Sequence, residues 1–489
     1  MLKHLYKGNL TWIILVTILF LAAIGFDISS FLRGPAPYPP EWQWTYLFIN
    51  TLDRIYLPII FISILIVLFW FSEKKKGFFV KHTKLLLVSI IILSFLFQIS
   101  VQFFSRAGVP VLIHRIINPE LNGYFTAALP IQNAGDFLNT YNQNILKFVY
   151  HAKSHPPGAI LLFFFIKQLI SAFPVLGNIA SSFSPTHADV KLIWEALLPS
   201  ERATAIFSAF LIPFLSVLSV IPLYYSSKIL YGAKTALRSV FLFVFIPSVV
   251  LFLPINDSFL HIFAITAFFF MLKGIKQKKL LYVSLSGLTL FLGVFFNLSL
   301  LPLVILLGTF FLFTKYKVKK LQFKDLLKSG LAFSLGFILL PFLLYITLYF
   351  DFIEMLRIIM GSVPDIHTRS YKIWIFYNLY DFFIFSGIPI TIAFFLCIKQ
   401  LFLNICAKRW KYIDYVVTAF LFMLILLNFS GSIRGETGRI LVIFMPFMAL
   451  IAANFATNNL KFTTRQFGIF LALQALQILV MQEFWVMLW

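Results

Sequence analysis

Cysteine and charge are the features this sequence has least of. Only two of the 489 residues are cysteine, at positions 397 and 406, so no disulfide framework or cysteine-based metal site is expected. Charged residues make up 12% of the chain, about half of the roughly 25% typical of soluble domains. Acidic residues are the scarcer kind, with 18 against 40 basic ones. This composition excludes an ordinary soluble protein.

Apolar sequence takes the place of charge. Hydrophobic residues make up 60% of the chain and the mean hydropathy is +0.92. Apolar runs of about 20 residues, the length that crosses a bilayer, follow one another with short gaps. The fourteen predicted segments are residues 10–27, 55–72, 85–104, 158–176, 202–226, 239–255, 258–272, 281–296, 298–314, 330–350, 376–398, 412–429, 440–456 and 467–488. The sequence therefore predicts an all-α polytopic membrane protein with one continuous membrane domain.

Basic residues cluster in short loops between the apolar segments, and these loops set the predicted orientation. The most basic loops are residues 73–84, 273–279, 315–328 and 399–411. Because cytoplasmic loops are enriched in Lys and Arg, we expect these loops and the N-terminus in the cytoplasm of a multi-pass cell-membrane protein. The net charge of +22 then reflects topology and contact with membrane lipids. Nucleic acid is not an expected partner, since no soluble face gathers the basic residues.

The segment at 158–176 is the one expected not to cross the membrane. If all fourteen segments crossed, the basic loops that follow it would lie outside the cell, against the charge rule. The segment begins after Pro156-Pro157, carries Lys167, and contains the helix breakers Pro174 and Gly177. We therefore predict about 13 transmembrane helices plus an interfacial or re-entrant helix near 158–176, packed against protein.

Long polar stretches on the predicted outer side are the natural places for function. Long loops in compact proteins are usually functional or disordered, and any active site is expected on this outer face. The outer stretches are residues 105–201, 351–375 and 430–439. The chain is predicted to divide into three parts. Residues 1–84 form two transmembrane helices and a linker, residues 85–350 form a core that contains the large outer loop 105–201, and residues 351–489 form a C-terminal transmembrane region.

Two histidines precede the segment at 158–176, in the run His151-Ala-Lys-Ser-His155-Pro-Pro-Gly. The prolines stiffen the chain where a helix begins, and a spacing of four residues could place both rings on one helical face. A rigid turn with solvated histidines is the structural alternative. So much polarity next to an apolar segment favours a positioned site.

Glu120 and Asp136 are the acidic residues of the outer loop before these histidines, and Tyr124 lies between them. A carboxylate here could deprotonate an acceptor hydroxyl or hold a divalent cation beside a phosphate. Each acid alone is explained as well by a turn, and Asp136, next to Gly135, is the more turn-like. The ligands of any metal are unknown from the sequence.

Asp257 and His261 lie at a tight turn and one helical turn beyond it, in the run Pro254-Ile-Asn-Asp-Ser-Phe-Leu-His. Helix capping explains Asp257 about equally well, because Asp is a good N-cap residue. An ionisable residue inside a span is a functional hypothesis by default, which makes His261 a candidate.

Arg434, Glu436 and Arg439 lie in a third polar turn, Ser432-Ile-Arg-Gly-Glu-Thr-Gly-Arg439. Two arginines beside flexible glycines could hold a phosphate through paired donors. A salt bridge of Glu436 with one arginine is the alternative. The Pro- and Trp-rich loop at 34–44 is predicted mainly to anchor the chain at the membrane interface.

The order of these motifs resembles the GT-C superfamily of membrane glycosyltransferases, in particular its protein mannosyltransferase and aminoarabinose transferase branch. The matching parts are the acidic loop with Glu120, the His155-Pro-Pro element, and Pro254-Ile-Asn-Asp257, over roughly residues 85–275. One feature departs from the superfamily: the paired Asp-Glu that often opens the catalytic loop is absent, and Asn118-Pro-Glu120 stands nearby.

The resemblance implies a GT-C-like fold and transfer of a sugar, with inversion, from a polyprenyl-phosphate carrier. The acceptor would be a lipid, glycan or protein bound from the outer face, and a divalent cation is left open. On this basis Glu120 is the expected base. The other catalytic candidates are Asp136, His155 and Asp257, and the substrate-binding candidates are His151, Tyr124, His261, Arg434, Glu436 and Arg439.

Two other functions stay open from the residues. A transporter or flippase of lipid-linked oligosaccharides would use charged residues or broken helices near the middle of the membrane, and Asp381 and Asn297 are such polar residues within apolar sequence. A polysaccharide polymerase or ligase would share an outward-facing, arginine-rich site.

Overall fold

The chain is almost entirely helical. The structure, a computed structural model, describes residues 9–48, 50–75, 77, 81–183, 188–317, 323–361, 368–409 and 412–487. One short antiparallel sheet pairs β1 (Thr45–Tyr46) with β2 (Trp485–Val486). Helices dominate because backbone polar groups in hydrocarbon must bond within their own segment. The predicted all-α polytopic class is confirmed.

The helices are numbered in chain order. Those of the first half are α1 (Asn9–Gly25), α2 (Tyr56–Lys74), α3 (Thr83–Phe103), α4 (Pro110–Ile117), α5 (Tyr124–Ala128), α6 (Ala134–Asn139), α7 (Tyr141–Asn144), α8 (Gly158–Ser171), α9 (Pro174–Ser181), α10 (Ala188–Ala196), α11 (Pro199–Val217), α12 (Val220–Tyr231), α13 (Ala233–Val244) and α14 (Pro247–Leu251). Those of the second half are α15 (Asp257–Gln277), α16 (Leu280–Val294), α17 (Leu303–Lys317), α18 (Phe323–Leu348), α19 (Phe352–Gly361), α20 (Tyr371–Ser386), α21 (Ile388–Cys406), α22 (Tyr412–Phe429), α23 (Thr437–Ile440), α24 (Met445–Asn454) and α25 (Thr464–Phe484).

Membrane crossing is supported by helix length and composition. Within the described ranges, eight helical segments are long and apolar enough to span a membrane, and the bent pair α8–α9 would be a ninth only if it formed one span. The prediction of about 13 crossings requires that α1, α16, α17, α22 and the broken α13–α14 segment cross as well.

The segment predicted not to cross is sharply bent. α8 and α9 meet at 100°, with the break falling between Ser171 and Pro174. Proline suits the first turn of the new helix because its missing N–H would have no helical partner there. Gly177, the other expected breaker, instead lies inside α9 and packs closely on Pro199. A bend of this size belongs to a broken or re-entrant segment, as the sequence predicts.

Two other predicted spans are interrupted, which corrects their single-segment assignment. Residues 376–398 cover parts of α20 and α21, which are separated at Gly387 with φ +96°. Residues 239–255 cover parts of α13 and α14, which are separated just before Pro247. Both breaks lie inside continuously apolar sequence, so hydropathy does not register them.

The helices pack around a buried centre. The α23–α24 segment is 89% buried, whereas α18 is only 11% buried and lies at the periphery. α18 is held on α16 through Gly287 and Gly336, where a Cβ atom would overlap the facing backbone. Small residues permit this close approach of membrane helices. Within the described residues, the main hydrophobic core draws on residues from Ile13 to Met487, and a smaller cluster joins α8, α9 and α11.

A buried ion pair joins three helices within this core. The guanidinium of Arg238 on α13 bonds both carboxylate oxygens of Glu73 on α2, at 2.8 and 3.1 Å. Both side chains are almost fully buried. Thr464 of α25 donates to the same carboxylate, and the Arg238 guanidinium lies over the ring of Phe467. The pair thus fixes α2, α13 and α25 together.

Candidate active site

Gly158 seats the start of α8 against the turn at residues 295–299. Its N–H donates to the carbonyl oxygen of Phe295 at 2.9 Å, and a Cβ at this position would overlap that oxygen. Glycine is needed for so close a backbone approach. The His155-Pro-Pro-Gly segment is therefore fixed beside the end of α16.

Asp257 opens α15 beside the same turn and is half-buried. The amide nitrogen of Asn297 donates to Oδ1 of Asp257 at 2.6 Å. The amide oxygen of Asn297 accepts from the N–H of Ser299 at 2.9 Å, which locks the orientation of the donor. Two segments about 100 residues apart in the sequence, at His155 and Asp257, are thus anchored to one turn.

His155 is held in one tautomer. Its Nδ1 lies 2.8 Å from the carbonyl oxygen of His151, so Nδ1 carries the proton and Nε2 keeps its lone pair when the ring is neutral. Tyr141 donates to the backbone carbonyl of His155 at 2.6 Å. Burial lowers the pKa of His155, although the charge of Asp257 opposes this shift. The ring is therefore neutral at pH 7, with Nε2 as an acceptor.

Tyr124 packs its ring edge-on against His155, at 5.6 Å between centroids. The tyrosine opens α5 after Gly123, whose φ of +73° places its backbone against Val149. Burial raises the pKa of Tyr124, and the charge of Asp257 raises it further. The phenol therefore stays protonated and is a hydrogen-bond donor.

Arg439 brings positive charge to the same place. Its charge lowers the pKa values of His151, His155 and Tyr124. For His151, burial is the larger cause, and together they lower its pKa to about 3. Five residues from separate parts of the chain thus come together; we call them the Asp257 cluster, and they are Tyr124, His151, His155, Asp257 and Arg439.

The short helix that carries Arg439 is held by α20. The N–H of Gly438 donates to one carboxylate oxygen of Asp381 at 2.7 Å, and the indole N–H of Trp44 donates to the other at 2.8 Å. Asn378 on the same helix accepts from the hydroxyl of Thr437 at 2.8 Å. Asp381 was a candidate midmembrane charge of a transporter; in the structure it holds the Arg439 turn in place.

Glu436 sits between arginines in this turn. It bonds Arg439 at 2.6 Å and lies 3.7 Å from Arg369. The salt bridge left open by the sequence is therefore present. Arg434 donates to the carbonyl oxygen of Arg369 at 2.8 Å and packs on Tyr371. The turn thus gathers Arg369, Arg434 and Arg439 around Glu436.

The loop at 34–44 is not mainly a membrane anchor, which corrects that prediction. Trp44 is 2% exposed and bonded to Asp381 as described above. Glu41 accepts from the indole of Trp374 at 2.6 Å and from the backbone N–H of Ser370 at 3.1 Å. Trp42 lies under the guanidinium of Arg369. These side chains pack the loop onto α20 and onto the arginine-rich turn.

Arg115 is a buried residue that the sequence did not single out. Its guanidinium donates to the carbonyl oxygens of Leu253 and Met487, which lie in the turn before Asp257 and at the end of the chain. Burial lowers its pKa to about 9, so it remains charged at neutral pH. A basic residue within an apolar run, Val111 to Ile117, was the available signal.

Within the described residues, Glu120 and Asp136 make no hydrogen bond or ion pair with a member of the Asp257 cluster. Both are exposed. Glu120 lies in a tight turn in which its N–H bonds the side chain of Asn118. Asp136 lies in the first turn of α6, where Asn133 caps the helix by accepting from its N–H. The structure therefore supplies no contact that would support the expected role of Glu120 as base, and the turn explanation fits Asp136.

His261 is enclosed between helices. It is 0% exposed, and its two ring nitrogens bond the hydroxyls of Ser216 and Ser219 at 3.2 and 2.6 Å. Phe243 packs edge-on against the ring. A ring with both nitrogens bonded and no accessible surface cannot contact a substrate, which corrects the substrate-binding role expected for His261. Its hydrogen bonds instead join α15 to the α11–α12 segment.

The described residues do not form a cage for a divalent cation. Within them, no three His, Cys, Asp or Glu side chains gather as a metal site. Asp257 is the one carboxylate of the Asp257 cluster, and hard divalent cations favour several oxygen ligands. The option of a cation left open by the sequence thus gains no support from the donor set.

Comparison with known proteins gives a similarity in overall structure alone. No family model and no curated protein sequence matches the chain. Among solved structures, it is similar to the crystal structure of the Archaeoglobus fulgidus oligosaccharyltransferase in complex with zinc and sulfate, at 14% sequence identity and a TM-score of 0.45. The alignment covers 81% of this chain and 52% of that one, so the chain spans about half the length of that protein. A similarity at this level assigns no activity.

Proposed function

We propose that the protein is a GT-C-like glycosyltransferase that moves a sugar from a polyprenyl-phosphate carrier to an acceptor at the outer face of the cell membrane. The observation that carries this proposal is the Asp257 cluster. It combines a half-buried carboxylate, a neutral imidazole, a protonated phenol and an arginine, drawn from separate segments. The motif resemblance of His155-Pro-Pro and Pro254-Ile-Asn-Asp257 points to the same chemistry.

Asp257 is the proposed base. Asn297 fixes one carboxylate oxygen at 2.6 Å, and the other has no hydrogen-bond partner among the described residues. The acceptor hydroxyl gives its proton to this oxygen while its own oxygen attacks the anomeric carbon of the sugar. The bond from that carbon to the phosphate oxygen breaks, and its electron pair leaves with the polyprenyl phosphate. A single displacement of this kind inverts the anomeric centre.

Arg439 is the proposed phosphate ligand, because charge develops on the phosphate as the carrier leaves. A guanidinium suits this role since its planar donors match phosphate oxygens. Asp381 and Asn378 fix the turn that presents it, and Arg369 and Arg434 add positive charge. Glu436 is the ground-state partner of Arg439 at 2.6 Å.

His155 and Tyr124 are proposed to bind the polar groups of the substrates. With Nδ1 bonded to the backbone, His155 offers an acceptor at Nε2, and Tyr124 offers a donor. His151 is proposed to shape the same surface as a neutral ring. Glu120 remains the alternative base named by the sequence, at an exposed turn.

Release of the lipid product tests the proposal. Purified protein in nanodiscs is incubated with undecaprenyl phosphates carrying different sugars, together with a membrane extract that supplies acceptor hydroxyls, and free undecaprenyl phosphate is measured with time. At least one carrier should lose its sugar faster than in protein-free nanodiscs. Equal rates with and without protein for every carrier would overturn the proposal. Movement of intact glycosylated carrier across sealed vesicles without release would instead establish the flippase alternative.

A further inference from the structure

Asn256 carries a buried amide with no hydrogen-bond partner. The residue is 6% exposed, and neither Nδ2 nor Oδ1 is bonded to any part of the described chain. Burying an unbonded amide is unfavourable in proteins. Such groups are uncommon in folded chains and need an explanation.

The other buried asparagines show how different Asn256 is. The amide of Asn378 bonds Ile433, Gly435 and Thr437, and the amide of Asn404 donates to Asp414. Asn is also a preferred N-cap residue, and Asn256 holds that position before α15. Its side chain makes no cap bond. Local helix structure therefore does not account for this residue.

The backbone on both sides of Asn256 is fixed. Before it, Arg115 holds the carbonyl oxygen of Leu253. After it, Asn297 holds the carboxylate of Asp257 at 2.6 Å. Consecutive Cα atoms are about 3.8 Å apart, so the two side chains start close enough for one bound sugar to contact both. The amide is thus held next to the proposed base.

We propose that the Asn256 amide binds a hydroxyl of the sugar carried by the donor lipid. The amide nitrogen Nδ2 needs a hydrogen-bond acceptor, and the amide oxygen Oδ1 needs a donor. Sugar hydroxyls supply both, whereas an ionised phosphate only accepts and would leave Oδ1 without a partner. Asn256 therefore recognises the sugar, while Arg439 binds the phosphate. This inference rests on the proposed function and identifies a specificity residue for it.

The difference in affinity between bare and glycosylated lipid tests the inference. Full-length wild type and Asn256→Leu in nanodiscs are titrated with undecaprenyl phosphate and with the same lipid carrying glucose, mannose, galactose or aminoarabinose. Wild type should prefer at least one glycosylated carrier to the bare one. Asn256→Leu should lose this preference by about tenfold, the worth of a hydrogen bond of about 1.4 kcal/mol, and should bind the bare carrier unchanged. Asn256→Ala, which only removes atoms, should lose the same preference for the glycosylated carrier.

Thermal unfolding supplies the control. Asn256→Leu replaces an unbonded amide with an apolar group of similar size, so its midpoint should equal or exceed that of wild type. Asn404→Leu removes a bonded amide, so it should lower the midpoint and leave the sugar preference intact. A sugar preference retained in both Asn256 variants would overturn the inference, as would equally weakened binding of both lipids with a lowered midpoint. If wild type itself prefers no glycosylated carrier, the proposed function fails together with it.

Discussion

Asp257→Asn and Glu120→Gln form a matched pair of variants. They distinguish Asp257, the base proposed from the structure, from Glu120, the base expected from the order of motifs in the sequence. Each change keeps the shape of the side chain and removes its ability to accept a proton as a carboxylate. Asp257→Asn should lower the turnover of sugar transfer by at least about a hundredfold, the lower end for general acid-base catalysis. A hundredfold loss corresponds to about 2.7 kcal/mol of transition-state stabilisation.

The structure predicts a small effect for Glu120→Gln. Glu120 is exposed, and its bond to Asn118 uses the backbone N–H, which the variant keeps. Its turnover should therefore stay within about twofold of wild type, as for surface changes away from a site. The assay is release of undecaprenyl phosphate under saturating donor and acceptor, with donor binding measured in parallel to show that both variants fold. Near wild-type turnover in Asp257→Asn together with an inactive Glu120→Gln would refute the assignment of Asp257.

Charged residues at the site and in the bundle provide three more tests. Arg439→Lys should weaken binding of undecaprenyl phosphate by roughly tenfold because the planar fork of donors is lost. Arg434→Lys should change the affinity less, because the wild-type Arg434 guanidinium bonds a backbone carbonyl. Titration of both variants with the lipid measures these affinities, and unchanged affinity in Arg439→Lys would count against a phosphate contact. Burial, together with the charges of Arg439 and His155, lowers the pKa of His151 to about 3 in the folded chain, from an ordinary value of about 6.5. The folded state therefore binds fewer protons than the unfolded chain, and stability falls as the pH is lowered from 7 to 5, by up to about 2 kcal/mol at pH 5. The unfolding midpoint of His151→Gln should drop less over this interval than that of wild type, and an equal drop would contradict the shifted pKa. Arg238→Met should destabilise the protein by about 3–5 kcal/mol because it leaves the carboxylate of Glu73 buried without its partner, and adding Glu73→Leu should restore part of the midpoint; no recovery in the double variant would show that the pair does not act as a unit.

The membrane class and the bent segment at 158–176 could be predicted because both depend on local signals. Apolar runs of bilayer length and the distribution of basic loops are properties of the sequence alone. Proline is favoured in the first turn of a helix, the position that Pro174 holds in α9. The bend of 100° at this position agrees with that expectation.

The breaks at Gly387 and Pro247 were missed for a physical reason. Both lie within uniformly apolar sequence, where hydropathy does not change across the break. Gly387 adopts a φ of +96°, and a glycine in an apolar run can equally continue a helix at modest cost. Only the surrounding packing decides between these outcomes.

The candidate site was predictable in part. The sequence named every member of the Asp257 cluster, since polar residues beside apolar segments stand out. It could not show which of the candidates contact one another, because contact between distant segments depends on packing. The same limit applies to Asn297 and Asp381, which looked like isolated polar residues and proved to fix the turns that carry Asp257 and Arg439.

We propose that the Asp257 cluster binds a sugar and its lipid phosphate together. The most direct measurement is a cryo-electron microscopy map of Asp257→Asn in nanodiscs with an undecaprenyl-phosphate sugar that wild type turns over. The phosphate should lie within hydrogen-bond distance, about 3 Å, of the guanidinium of Arg439, with the sugar between His155 and residue 257. Lipid phosphate bound elsewhere on the bundle, with Arg439 still paired to Glu436 and no sugar at the cluster, would contradict the account.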